Sequence, residues 1–138
     1  MTSQVLEMRF APEFSSVNLA REALRKICRE LFEPQGGTFT DELCLAATEA
    51  MNNAVKHSGA PVIELEVMAE RDSLTLRLTN EGVRFDPSVP AAMPNNVDAS
   101  IAAEGGYGLP LLQRMVDNLE YTFRDGRNVL TMYKRYNG

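Results

Sequence analysis

The sequence predicts an α/β fold, a two-layer sandwich with helices on one face of a largely antiparallel mixed sheet. Three observations predict it. Five short segments alternate apolar and polar residues, three longer ones repeat apolar residues at helical spacing, and the elements run β-α-α-β-β-loop-α-β-β.

The first strand is QVLEMRF at 4–10, with Leu6, Met8 and Phe10 on one side. In SSVNLAREALRKICRELF, Ala20, Leu24, Ile27, Cys28 and Leu31 fall at helical spacing behind Ser15 or Ser16 as caps. Glu33-Pro34 stops this helix, and PQGG follows as a loop. A second helix starts near Thr40-Asp41 and runs to about Ser58, closed by Gly59 and Pro61. VIELEVMAE and SLTLRLT then alternate cleanly as strands, with Arg71-Asp72 as a tight hairpin between them.

From Asn80 to Gly106 the pattern fails, with Pro87, Pro90 and Pro94 among small residues. A loop of that length in a compact domain suggests a functional lid, placed at about 87–106. The helix LPLLQRMVDNL follows, with Pro110 tolerated in its first turn. The last strands, LEYTFR and NVLTMYKR, are joined by Asp125-Gly126, a hairpin signal. There is no internal repeat, and residues 1–138 make a single domain.

Composition narrows the class. Hydrophobic residues at 44% and charged residues at 24% suit a soluble globular protein. Lys and Arg number 14 against 19 Asp and Glu, and the net charge of −5 argues against a nucleic-acid or acidic-membrane surface. The two cysteines, Cys28 and Cys44, sit in helical patterns, and His57 is the single histidine, so a zinc site is not expected. They are expected to be reduced, partly buried thiols. The apolar runs are too short to span a bilayer, and MTSQVLEMRF lacks the layout of a signal peptide. A cytoplasmic protein is the expectation.

One local rule is broken inside a strong element. ATEAMNNAVKH places Asn52 and Asn53 within a helix, where each is less favourable than Ala by about 0.6 kcal/mol. On a wheel of about 100° per residue, Leu43, Cys44, Ala47, Ala50, Met51, Ala54 and Val55 fill one broad arc. Glu49 and Asn53 share the opposite arc with Glu42, Asn52 and Lys56, one turn apart, and His57 lies at its edge. A carboxylate can serve as a general base, and an amide oxygen is a neutral ligand for a hard cation. The plainer alternative is a solvated polar face, which Lys, Glu or Gln would hold better than two asparagines.

Two glycine segments add to the pattern. Asn80-Glu81-Gly82 follows directly on a strand, and Glu104-Gly105-Gly106-Tyr107-Gly108-Leu109 precedes a helix. Glycines before a helix N-terminus let backbone N–H groups approach phosphate oxygens, although by itself GGYG also fits a loop hinge. No P-loop or dinucleotide fingerprint is present.

Taken in order, the helix bearing Glu-x-x-x-Asn, the strand ending in x-x-Gly, the lid and the Gly-x-Gly helix start resemble the GHKL family of ATP-binding domains. More narrowly, they resemble the anti-sigma-factor serine/threonine kinases of bacterial partner-switching systems, over nearly the whole chain. The family's first box, E-x-x-x-N-A-x-x-H, is matched by Glu49, Asn53, Ala54 and His57. The resemblance implies that Asn53 is the Mg²⁺ ligand tying the metal to ATP and that Glu49 is the base for a substrate serine. The second box is D-x-G, whose carboxylate accepts from the adenine amino group; here Asn80 and Gly82 stand at its ends. Gly105, Gly106, Gly108 and Leu109 match the third box and would cradle phosphates, and Asn128 aligns with a position near the adenine.

Asn80 is the departure. Its amide oxygen can still accept from adenine, without the charge that strengthens such a bond, and its NH₂ must find another acceptor. Weakening of ATP affinity by about 1–2 kcal/mol is expected. The resemblance therefore implies two functions to be weighed. One is an anti-sigma factor and ATP-dependent kinase that phosphorylates a STAS-type antagonist, acting as a homodimer as relatives commonly do. The other is a catalytically weak or inactive, nucleotide-modulated sequestering module of the same fold.

Overall fold

The computed structural model of the chain describes residues 2–84 and 108–138, with side chains of the second segment from residue 112 onward. The elements are β1 (Ser3–Phe10), α1 (Phe14–Leu31), α2 (Thr38–His57), β2 (Ile63–Glu70), β3 (Ser73–Glu81), α3 (Gly108–Met115), β4 (Asn118–Arg124) and β5 (Arg127–Arg135). They form the expected two-layer α/β arrangement. The five strands make one sheet in the order β1-β2-β3-β5-β4, and every pairing is antiparallel.

Alternation sets which face is covered. Along β2 and β3, Ile63, Leu65, Val67, Leu74, Leu76 and Leu78 are buried, and Glu64, Glu66, Thr75, Arg77 and Thr79 between them are less covered. The buried face meets Val17, Ala20, Leu24 and Cys28 of α1 and Leu43, Ala47, Ala50, Met51 and Ala54 of α2 in one core. Each fully buried Leu there contributes about 1.5–3 kcal/mol relative to exposure. Val55, expected on the buried arc of α2, is only partly covered, and Ala46 is buried instead.

β3 runs through Asn80 to Glu81, residues expected to follow the strand, because Asn80 and Glu81 still pair with Asn128 and Arg127 of β5. Helix boundaries differ from the sequence expectation as well. Ser15 and Ser16 do not cap α1. They lie inside its first turn, because Glu13 O already accepts from Ser16 N (3.1 Å) and Val17 N (3.2 Å). The second helix starts at Thr38, where Gly37 O accepts from Asp41 N at 3.0 Å. Its first turn is anchored by Glu33, whose Oε1 accepts from Thr40 N (2.8 Å) and Thr40 Oγ1 (2.7 Å). The third helix stops at Met115 rather than continuing through Leu119. Asp117 N donates to Tyr133 O (2.9 Å) and Asp117 Oδ2 accepts from Arg135 N (2.7 Å), so the chain is drawn into the sheet.

The hairpin joining β4 and β5 is as expected. Asp125 (φ 55°) and Gly126 (φ 76°) both take the left-handed conformation of a type I′ turn, whose twist matches paired strands.

One buried charge ties the layers together. Lys134 Nζ donates to Met115 O at 2.6 Å, lies 3.4 Å from Glu42 Oε1, and sits 6.0 Å from the centre of the Phe39 ring. It joins β5 to the end of α3 and the start of α2. Cys28 and Cys44 are free thiols facing each other between α1 and α2. The hydrogen bond to Cys44, with burial, pushes the Cys28 thiol up. Among the described residues, no helix is long and apolar enough to cross a membrane.

Candidate functional site

The covered face of the sheet turns polar at one end. Register places Leu76 beside Met132 and Leu78 beside Leu130, and the next rung on that face is Asn80 beside Asn128. Facing this rung is the second half of α2. Together they bound a cavity with apolar walls from Ala50, Ala54, Leu78 and Leu130 and polar groups from Asn53, Ser58, Asn80, Tyr121 and Asn128. The cavity and its mouth together hold about 360 Å³ of space, open solvent included.

A hydrogen-bond relay forms the floor. Asn128 Nδ2 donates to Val83 O at 2.8 Å and to Asn80 Oδ1 at 3.2 Å, while the Tyr121 hydroxyl donates to Asn128 Oδ1. Asn80 is 7% exposed and Asn128 5%, so both amides are removed from bulk water and held by partners.

Gly82 fixes this floor against the helix. Its φ is 150°, and a Cβ there would lie 2.1 Å from Ser58 O, so only glycine allows the approach. Gly82 N donates to Gly126 O (3.1 Å) in the turn between β4 and β5, and Val83 N donates to Ser58 O (2.9 Å), joining the end of β3 to the end of α2. Ser58 itself turns its hydroxyl onto Ala54 O (2.6 Å) and accepts from Ala60 N (3.1 Å).

The residues singled out in the sequence divide accordingly. Asn53, Asn80 and Asn128, from three separate elements, line one cavity. Gly82 lies beside it as a point of close backbone approach rather than on its wall. Glu49 is half-buried on α2, one turn before Asn53, and does not line the cavity. Asn52 is half-buried on the same helix, also off the wall. His57 is exposed at the end of α2. Gly108 and Leu109 open α3, whereas Gly105, Gly106, Tyr107 and the whole of the expected lid at about 87–106 lie outside the described residues.

Tyr121 and Ser58 are the polar residues of the cavity that sequence reasoning missed. The alternation in LEYTFR carries a signal for Tyr121, since it shares a face with Leu119. Ser58 looked like nothing more than a helix end.

The donor set suits a magnesium–nucleotide complex better than a bare metal. No cluster of His, Cys, Asp or Glu among the described residues would hold a metal by itself. Asn53 offers one neutral oxygen, and Mg²⁺ characteristically takes few protein ligands and completes its shell with phosphates and water. Apolar walls with a few convergent polar groups are the general chemistry of a small-molecule pocket.

Comparison with known proteins agrees with this geometry. The family model described as histidine kinase-like ATPase domain matches residues 10–134. Serine/threonine-protein kinase BtrW of Bordetella bronchiseptica is 34% identical over 94 residues, covering 65% of this chain and 66% of that protein. Serine-protein kinase RsbW of Listeria monocytogenes is 29% identical over 98 residues, covering 65% of this chain and 62% of its own. The matches thus span slightly less than two thirds of those kinases. The RsbU and RsbW domains of Rv1364c from Mycobacterium tuberculosis superpose with a TM-score of 0.62 at 14% identity, covering 95% of this chain and 32% of that one. The Acinetobacter baumannii histidine kinase AdeS gives 0.51 at 12% identity, covering 99% of this chain and 70% of its own. At those identities the two solved structures establish the fold alone.

Proposed function

The chain belongs to the histidine kinase-like ATPase domain family, and from that premise we propose that it is an ATP- and Mg²⁺-dependent serine/threonine protein kinase. The observation that carries this reading is the convergence of Asn53, Asn80 and Asn128 on one cavity. The kinase names of the relatives from Bordetella and Listeria support it.

In this reading the adenine enters between α2 and the Asn80–Asn128 rung. Asn53 holds the magnesium of the nucleotide complex, which neutralises phosphate charge when bound. By the resemblance, Gly105, Gly106, Gly108 and Leu109 would offer backbone N–H groups to the phosphates. Glu49, one turn from Asn53, accepts the proton of the substrate hydroxyl. Positioning and charge stabilisation supply most of the rate in such a transfer, and Glu49 sets the direction of attack.

The substrate is a small STAS-type antagonist, and the same protein sequesters a sigma factor in the cytoplasm, as a homodimer. Binding of the two partners is mutually exclusive, and phosphorylation decides which one is held. A second reading keeps the fold and the sequestration but lacks phosphotransfer; the amide of Asn80, where the resemblance calls for a carboxylate, favours it.

The deciding experiment is phosphotransfer from labelled ATP to a cognate antagonist by the wild type and Glu49→Ala. The kinase reading expects Glu49→Ala to keep its ATP affinity and lose about 10²–10⁴-fold in transfer rate. A wild type that binds ATP and transfers nothing leaves the sequestering module.

A further inference from the structure

Coverage falls along the helix-facing side of β4. Register sets Leu119 beside Met132, Tyr121 beside Leu130 and Phe123 beside Asn128. Alternation keeps all three on one face. Leu119 and Tyr121 pack against the core, whereas Phe123 is 37% exposed. The last rung on that face therefore reads Asn80, Asn128, Phe123 across three strands.

A lone apolar side chain at the surface is ordinary. What sets Phe123 apart is its neighbours. Asn128, its partner across the strands, lines the cavity, and so does Tyr121, two residues earlier on β4. Cross-strand partners hold their Cβ atoms about 5 Å apart, well within the reach of a phenyl ring. Tyr121 leans toward the same rung, since its hydroxyl donates to Asn128 Oδ1. On the other side of Asn128, Val83 O accepts from Nδ2 at 2.8 Å, and Val83 is itself 67% exposed. Phe123 thus borders the cavity from outside its wall, on an apolar rim beyond the relay.

The wall itself is suited to the edge of a ring more than to its face. Its polar groups are amides and hydroxyls, which hydrogen-bond in the plane of a heterocycle, and its apolar groups are aliphatic, from Ala50, Ala54, Leu78 and Leu130. Tyr121 is the one aromatic ring among them, and its hydroxyl is committed to Asn128. A nucleobase also has a broad π face, and stacking on an aromatic ring is its strongest apolar contact. Phe123 carries no polar atom, so its ring is all it has to contribute.

Resting on the reading of this cavity as a nucleotide site, we propose that Phe123 is a base-contact residue whose ring stacks on the nucleobase at the mouth of the cavity. Every base has a π face, so this contact adds affinity and leaves the reading of the edge to the amides.

The chain has no tryptophan, so Phe123→Trp places a single fluorophore at the position. The test titrates the wild type, Phe123→Leu and Phe123→Trp with magnesium-loaded ATP by calorimetry, and follows the emission of the tryptophan variant in parallel. Leucine keeps the apolar bulk and removes the ring. It should weaken ATP binding by at least about fivefold, the loss of a base–aromatic stack. Tryptophan should retain the affinity, with emission quenched along the calorimetric curve. Magnesium-loaded tripolyphosphate, which has no base, should leave that emission unchanged. A smaller loss in the leucine variant, an equal loss in the tryptophan variant, or emission that ATP leaves unmoved or tripolyphosphate alters equally overturns the proposal and leaves the nucleotide site standing. A wild type that binds no ATP at millimolar concentration defeats the nucleotide site and this proposal together. Phe123 lies outside the core on an edge strand, so both variants should unfold at the wild-type urea midpoint. If the leucine variant fails to fold, the emission of the tryptophan variant decides alone.

Discussion

The two ends of the β3–β5 ladder carry buried polar side chains, and they are handled in opposite ways. Leu74 pairs with Lys134 at one end and Asn80 with Asn128 at the other, with the apolar rungs Leu76–Met132 and Leu78–Leu130 between them. At the Lys134 end the ammonium group spends its hydrogens on Met115 O and Glu42 and rests near the Phe39 ring. It closes three elements onto one another. At the Asn80 end a relay through Asn128 joins Val83 O, Asn80 Oδ1 and the Tyr121 hydroxyl, and Asn80, Asn128 and Tyr121 all line a cavity. A buried polar group whose partners are all protein is architecture; one left with capacity in a cavity is a site.

That contrast can be broken at each rung. The largest expected effect is in the dry middle. Leu76→Ala removes a fully buried side chain and should lower unfolding free energy by about 3 kcal/mol in urea titration. A loss below about 1 kcal/mol would mean the middle of the ladder is not the packed core described here.

At the closed end, Lys134→Met keeps the apolar stem and deletes the charge. Met115 O and Glu42 lose their donor, and a loss of about 2 kcal/mol in stability is expected from the same titration. A neutral or stabilising outcome would show that Lys134 is retained for something other than holding α3.

At the open end the direction reverses, since the change should improve a ligand rather than the fold. Asn80→Asp is expected to tighten ATP binding by about 1–2 kcal/mol, read by calorimetry. Unchanged or weaker affinity would sink the account of that position.

The fold was largely legible because the signals for it are local. Alternation in VIELEVMAE and SLTLRLT gave strands whose apolar side is the covered side, and Asp125-Gly126 gave the turn. What escaped depends on partners distant in sequence. The early stop of α3 is imposed by the bond from Asp117 N to Tyr133 O, which no helical pattern in LPLLQRMVDNL contains. Ser15 and Ser16 satisfied the composition of a cap, but the backbone of Glu13 had already taken that place.

The site was legible to a different depth. Asn53 stood out as a departure from helical preference and Asn80 as the departure from the D-x-G box of the resembled family, and both line the cavity. The role of Asn128 as the donor that orients Asn80, 48 residues earlier, and the help from Tyr121 required the register of three strands. Gly82 looked like a ligand-facing glycine, yet it touches Ser58 O and secures the floor to α2. That contact arises only when the end of β3 meets the end of a helix.

The central claim is that a nucleotide base enters the cavity between α2 and the Asn80–Asn128 rung. The most direct measurement follows the side-chain amide NMR resonances of Asn53, Asn80 and Asn128, assigned by single substitution, as magnesium-loaded ATP is added. All three should shift together along one saturable binding curve, with the Asn80 and Asn128 signals moving most. Saturable binding that leaves these amides unmoved, or no change at millimolar nucleotide, would contradict the account.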